Sequence, residues 1–323
     1  ANNDNNMKFK AIVGNPPYQV TKEGTSDNPV YHLFMDVAYK MCDKVSLITP
    51  ARFLFNAGKT PKSWNEQILN DKHFKVVWYK QKSSDVFPNV DIKGGVAVTF
   101  RDAKQNFGGI GTFTDFEELN AILSKVISRD DFSSLMPLVY APESYKIAEQ
   151  LHIENPTVVT KLSKGHQYDI TTNIFDKLPE LFYDSKPIDG KGYIQLLGRT
   201  NNDRILKWIK RDYIKPHPNL DKYKVILPKS NGSGAIGEEL STPLIGEPLI
   251  GHTQTFISIG KFDTAFEAAA LLKYIKSKFA RTMLGVLKVT QDNKKSTWAN
   301  VPLQDFTENS DIDWTRSVAE IDA

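Results

Sequence analysis

One cysteine, Cys42, stands in 323 residues. That excludes an internal disulfide, and it excludes a thiolate zinc site, which needs several ligands at set spacings. No apolar run approaches the roughly 18–20 residues of a membrane span, and no charged-then-apolar leader opens the chain, so a cytoplasmic protein is expected. Charge of one sign is equally scarce. Lys plus Arg number 41 against 38 Asp plus Glu, a net of +3. That balance permits a nucleic-acid partner without arguing for one. His166, His217 and His252 have no ligand spacing among them, so no metal is expected. Neither an internal repeat nor a low-complexity tract is present.

The chain does have a strand–helix alternation from Phe9 to about Phe100. FKAIV reads as a short buried strand. VYHLFMDVAYKMC carries Leu33, Phe34, Val37, Ala38 and Met41 at helical spacing. KVSLIT, FKVVWY and GGVAVTF read as further strands, and WNEQIL as a short helix. The expectation is an α/β unit with a mostly parallel sheet, whose ligands gather at the carboxyl ends of the strands. That edge would carry Asn15 and Pro16, and also Thr49-Pro50-Ala51-Arg52. Residues 101–140 change character: a glycine-rich loop, an amphipathic helix in FEELNAILSKVISR, then a proline-bearing hinge. Beyond it the pattern predicts a helix near 143–152, strands in GYIQLLG, KVILP and TFISIG, and one long helix over 264–287 capped by Asp263 or Thr264. The closing DIDWTRSVAEIDA reads as a helix capped by Asp311 or Asp313. The Asn-rich opening and that helical ending together suggest an excised fragment of a larger protein.

Residues 15–18 are Asn-Pro-Pro-Tyr, directly after the apolar run FKAIVG. An adenine amino nitrogen is a poor nucleophile because its lone pair is delocalised into the ring. Accepting hydrogen bonds from both amino hydrogens favours a pyramidal nitrogen with its lone pair available. The Asn15 side-chain oxygen and the Pro16 carbonyl suit that task. Pro16 and Pro17 fix φ and bring no competing N–H, which makes a rigid acceptor pair of the kind electrostatic catalysis requires. Tyr18 can stack on the base. A duplex hides the target nitrogen, so the base must leave the stack, and Phe87, in a loop between two strands, is the candidate for its second face.

KFKAIVGNPPYQ, VSLITPARFL and VFPNVDIKGGVAVTF, in that order, resemble the later motifs of the γ-type adenine-N6 DNA methyltransferases, closest to the fused restriction–modification methylases. The resemblance continues through KVILPKSNGSGAIGE, TFISIG, LLKYIKSKFARTMLGVLKVTQDNKKSTWANVPLQDF and SDIDWTRSVAEID. It implies catalytic roles for Asn15, Pro16, Pro17 and Tyr18, with base stacking by Tyr18 and Phe87. It also implies S-adenosylmethionine as methyl donor, double-stranded DNA as partner and transfer to adenine in a specific site. The implied architecture is α/β: a partial Rossmann-like methyltransferase sheet over 1–115, a connecting helix and hinge over 116–140, and an α+β target-recognition domain over 141–323. The family's donor-binding turn, upstream of this motif, is absent. The implied partner is therefore a missing amino-terminal half of the same polypeptide, without which the chain would be inactive. Lys10 stands where relatives often have an acidic residue.

Two other functions fit the same residues. The chain could be a DNA-recognition module with no chemistry of its own. The same tetrapeptide also serves methyltransferases of protein glutamine, though these need no large second domain. Gly232–Gly237 matches GxGxxG, but Pro243 and Pro248 preclude the helix a phosphate site needs. It reads instead as a flexible loop that offers Lys229, Asn231 and Ser233 to DNA. Arg199, Asn201 and Arg204 form a second candidate DNA-facing stretch. Lys294 and Lys295, with Lys288, form a third.

Overall fold

The computed structural model describes residues 9–20, 28–56, 58–88, 92, 94–114, 116–288 and 291–323. The chain divides into two compact units, Ala1–Arg129 and Asp130–Ala323, both mixed α/β with several sheets between them.

In the first unit β1 (Ile12–Gly14) is followed by a two-residue pair, β2 (Gln19–Val20) and β3 (Asn28–Pro29), then α1 (Tyr31–Met41), β4 (Lys44–Pro50), α2 (Lys62–Asn70), β5 (Phe74–Lys80), β6 (Val96–Asp102) and α3 (Glu117–Ile127). The sheet order is β1-β4-β6-β5. β1 runs parallel to β4, while β6 is antiparallel to both β4 and β5. Three parallel strands thus enclose one reversed strand. Along β4, Val45, Leu47 and Thr49 alternate inward, the period a half-buried strand dictates. Val45 and Leu47 pack with Met35, Phe53, Trp64, Ile68 and Phe74 in one core.

The expected apolar stripe of α1 is corrected. Its buried face is Tyr31, His32, Met35 and Ala38, whereas Leu33, Phe34, Val37 and Met41 are all exposed, Val37 at 53%. At 100° per residue these sets lie about 130° apart, so the helix has two apolar faces and only one is covered. Cys42 ends the helix as a buried side chain, its Sγ 3.1 Å from the Phe9 carbonyl.

The second unit runs β7 (Val139–Tyr140), α4 (Glu149–Glu154), α5 (Ile174–Lys177), β8 (Tyr193–Thr200), β9 (Asp203–Lys210), β10 (Tyr223–Pro228), β11 (Leu244–Gly246), β12 (Ile250–His252), β13 (Phe256–Phe262), α6 (Ala265–Lys276), α7 (Lys278–Gly285) and α8 (Val318–Ile321). Its sheets are β11-β10-β13-β7, antiparallel throughout, and β12-β8-β9. Three sequence expectations change here. Residues 143–148 precede the helix, which is α4. The long helix breaks at Ser277, whose extended backbone (ψ 153) and side chain cap α7 through Ala280 N. The final helix is one turn capped by Ser317 and Glu320. Trp314 lies outside it, buried against Tyr274 and Phe306.

Candidate functional site

β1 ends at Gly14, so Asn15 begins at the carboxyl end of a parallel strand. Pro50↔Val96 and Lys80↔Val96 pairings bring the end of β4, the end of β5 and the start of β6 to the same edge. Asn15–Tyr18, Ala51-Arg52, and the residues Gln81 and Gly94–Gly95 that flank the strand ends therefore share it. The tetrapeptide is anchored from behind: the Tyr18 carbonyl accepts from Val30 N at 3.1 Å, just ahead of α1, and Gln19–Val20 pair with Asn28–Pro29. Asn15 and Pro17 are exposed, Pro16 and Tyr18 half-buried.

Among the described residues the Pro16 carbonyl accepts no backbone hydrogen bond. The Tyr18 hydroxyl is buried without a well-formed partner. Burial pushes its pKa up, and the neighbouring Asn15 side chain offsets part of that rise. Phe87 is half-buried on the same edge, its N–H donating to the Ser83 carbonyl at 2.9 Å. No ring contact joins Phe87 to Tyr18. Gly94 and Gly95 both take positive φ, 88° and 80°. A Cβ at the first would strike the Arg52 side chain, and at the second the Lys80 carbonyl. Glycine there lets β6 start close against the end of β4, where Ala51 N donates to Gly95 O at 3.0 Å.

The other candidates scatter over the second unit. Asn201 and Asn202, with φ of 49° and 69°, form the tight turn of the β8–β9 hairpin, as two-residue turns that match strand twist require. Arg199 is exposed beside it and pairs in register with Arg204. Arg204 itself is spent internally, donating to Thr242 O at 2.6 Å, Thr242 Oγ1 at 2.6 Å and Ser241 O at 3.3 Å.

The Gly232–Gly237 loop, expected to be flexible, is folded around a carboxylate. Ser233 N and Gly234 N donate to Glu238 at 2.8 and 3.0 Å, and buried Lys288 pairs with the same group. Asn231 is buried too, bonded to Glu239 O and to Asn293. Lys288 is therefore a structural cation, and Asn231 and Ser233 serve this loop. Lys229, Lys294 and Lys295 converge instead, on a cleft of about 690 Å³ that Asn293 also lines. Reading the sequence missed Asn293, because its partners lie 62 and 65 residues away and nothing local marks it.

Residues 1–87 match the family model of the Eco57I restriction-modification methylases. An uncharacterized adenine-specific methylase of Mycoplasma pneumoniae (strain ATCC 29342 / M129 / Subtype 1) is 33% identical over 95 residues, covering 28% of this chain and 22% of that protein. The chain thus spans about a fifth of the length of that curated relative. The resemblance of the amino-terminal part to restriction–modification adenine methylases is shown by these matches. Two solved structures are similar at low scores. The type IIG restriction endonuclease BpuSI has TM-score 0.32 and 10% identity, over 92% of this chain and 44% of that one. The type IIL restriction-modification enzyme MmeI in complex with DNA has TM-score 0.36 and 9% identity, over 91% and 45%. Among the described residues no helix is long and apolar enough to cross a membrane.

Proposed function

We propose that the chain carries the base-holding part of a DNA adenine-N6 methyltransferase, followed by a target-recognition domain. The observation that supports this best is the tetrapeptide itself: a strand-end amide and an imide carbonyl, held rigid by two prolines and anchored through Tyr18 to the start of α1. In this reading an extruded adenine donates its two amino hydrogens to Asn15 Oδ1 and the Pro16 carbonyl. Tyr18 stacks on one face of the base, and Phe87 is the side chain assigned to the other. No strong base is required, because the methylated nitrogen is cationic and loses its proton readily.

S-adenosylmethionine is the donor the resemblance implies, and the described residues do not fit it. The only GxGxxG run already gives its amides to Glu238, so no step is assigned to donor binding by this chain. A further half of a Rossmann-like sheet would supply that site. Two features support such a partner: among the described residues no strand pairs with the outer side of β1, whose Val13 is 80% exposed, and the second apolar face of α1 is exposed. The occupant would be a strand-and-helix segment of the same polypeptide, extending the sheet beyond β1.

In a protein that includes that segment, Asn15→Ala is expected to lower methyl incorporation into duplex DNA by about a hundredfold or more. Duplex DNA and a glutamine-bearing protein should be offered in parallel. Transfer to the protein alone, or full activity of Asn15→Ala, would overturn the reading.

A further inference from the structure

The second unit has a built cleft that the methyl-transfer reading does not use. Its volume is about 690 Å³, within the range of small-ligand sites. Met136, Ala141 and Pro142 give it an apolar wall, and Lys229, Lys294 and Lys295 bring three ammonium groups to it. Two carboxylates also line it, Glu143 and Asp292. Asp292 is engaged, accepting from Ser230 Oγ at 3.0 Å with Lys294 Nζ 3.9 Å away. Among the described residues no carboxylate pairs with Lys229 or Lys295. Three ammonium groups against two carboxylates leave the cleft with a net positive charge of one.

Asn293 adds an independent sign of a ligand. It lines the cleft, is 1% exposed, and its Oδ1 has no hydrogen-bond partner. The orientation of its amide is fixed, since Nδ2 faces two acceptors, Pro228 O at 2.9 Å and Asn231 Oδ1 at 2.7 Å. Asn231 is fixed in turn by its donation to Glu239 O at 3.0 Å. The unpaired atom is thus an acceptor, and buried acceptors are seldom left bare. A small inorganic anion would satisfy the lysines but neither the volume, the apolar wall nor this oxygen.

We propose that the cleft binds a nucleotide, its phosphate facing Lys229, Lys294 and Lys295, its base against the Met136–Pro142 wall, and a base N–H donating to Asn293 Oδ1. The chemistry is the same for a mononucleotide and for one unit of a DNA strand. Only the second source rests on the methyltransferase reading.

The test uses the full chain. Lysine acetylation is followed by mass spectrometry with adenosine 5′-monophosphate, ribose 5-phosphate, inorganic phosphate or a duplex oligonucleotide present. Adenosine monophosphate or the duplex should protect the three cleft lysines, and the two base-free phosphates should protect them much less. Anisotropy titration of whichever probe binds should show the Lys229→Gln/Lys294→Gln/Lys295→Gln triple variant weakened by about tenfold or more, with a shallower salt dependence. The exposed control triple Lys164→Gln/Lys261→Gln/Lys278→Gln should bind like wild type. Equal protection by all phosphates would overturn the base contact, and no protection by any probe would overturn the site. Duplex binding that the cleft variant leaves intact sinks the cleft and spares the methyltransferase reading. Protection by the mononucleotide without duplex binding does the reverse.

Discussion

Glu238 shows how much a single side chain can organise. Burial alone would raise its pKa, but the Lys288 ammonium and the N–H groups of Ser233 and Gly234 overcome that and hold it at about 2. A carboxyl whose folded pKa lies below its ordinary 4.5 adds stability that is fully present above pH 4.5 and is lost as the pH falls towards 2. His252 acts in the same direction. Burial keeps it neutral, with Nδ1 donating to Thr253 O and Nε2 accepting from Ser258 Oγ, and its pKa falls to about 3. Urea titrations at pH 6, 4 and 3 should therefore show a falling midpoint, and a flat profile would contradict both assignments. Glu238→Gln should remove its share of that slope. It should also cost about 3 kcal/mol at neutral pH, because Lys288 is left as an uncompensated buried charge. Gly95→Ala should be at least as damaging locally, since φ of 80° and the Lys80 carbonyl both oppose a side chain.

At the scale of elements, caps decide what periodicity leaves open. The run from Ala265 to Gly285 keeps helical spacing past Ser277, and only the extended backbone at that serine splits it. Ser277→Ala should cost about 1 kcal/mol in chemical denaturation by leaving Ala280 N unpaired, and no change would mean the break is held by packing alone. Helix α1 is the opposite case. Its apolar spacing is plain in the sequence, yet spacing cannot tell which of two faces meets the core. Tyr31, Met35 and Ala38 do so because they share one core with Val45, Leu47 and Phe53, and His32 packs beside them on Trp64. Val37→Asp, on the uncovered face, should change the stability of this chain by less than about 0.5 kcal/mol. In a longer protein that supplies the proposed second half-sheet, the same change should disrupt assembly, visible as exposed hydrophobic dye binding. A large loss of stability in the chain alone would mean that this face is already covered.

At the scale of the molecule, the second unit holds its own core. Tyr145, Ile147, Leu151, Ile194, Leu196 and Ile209 pack together within it, and a buried chain of hydrogen bonds links Tyr145, Asn219 and Ser258. Residues 130–323 expressed alone should melt cooperatively, as followed by circular dichroism, and a broad non-cooperative melt would show that the first unit is needed. The strands β1, β4, β5, β6, β8, β10 and β13 were legible as apolar runs. β9 was not, because DRILKWIK mixes charges into a strand whose faces are only partly covered.

The sequence alone determined the rigidity of the Asn-Pro-Pro-Tyr segment, since two prolines fix φ whatever surrounds them, and it placed that segment directly after the apolar run that forms β1. It also determined seven of the thirteen strands among the described residues, as apolar runs of strand length. Tertiary structure decided the rest: the order β1-β4-β6-β5, the reversal of β6, the internal use of Arg204, Asn231 and Ser233, and the meeting of Lys229 with Lys294 and Lys295. Each depends on partners far apart along the chain, and a side chain's neighbours across such distances are set by packing rather than by local spacing.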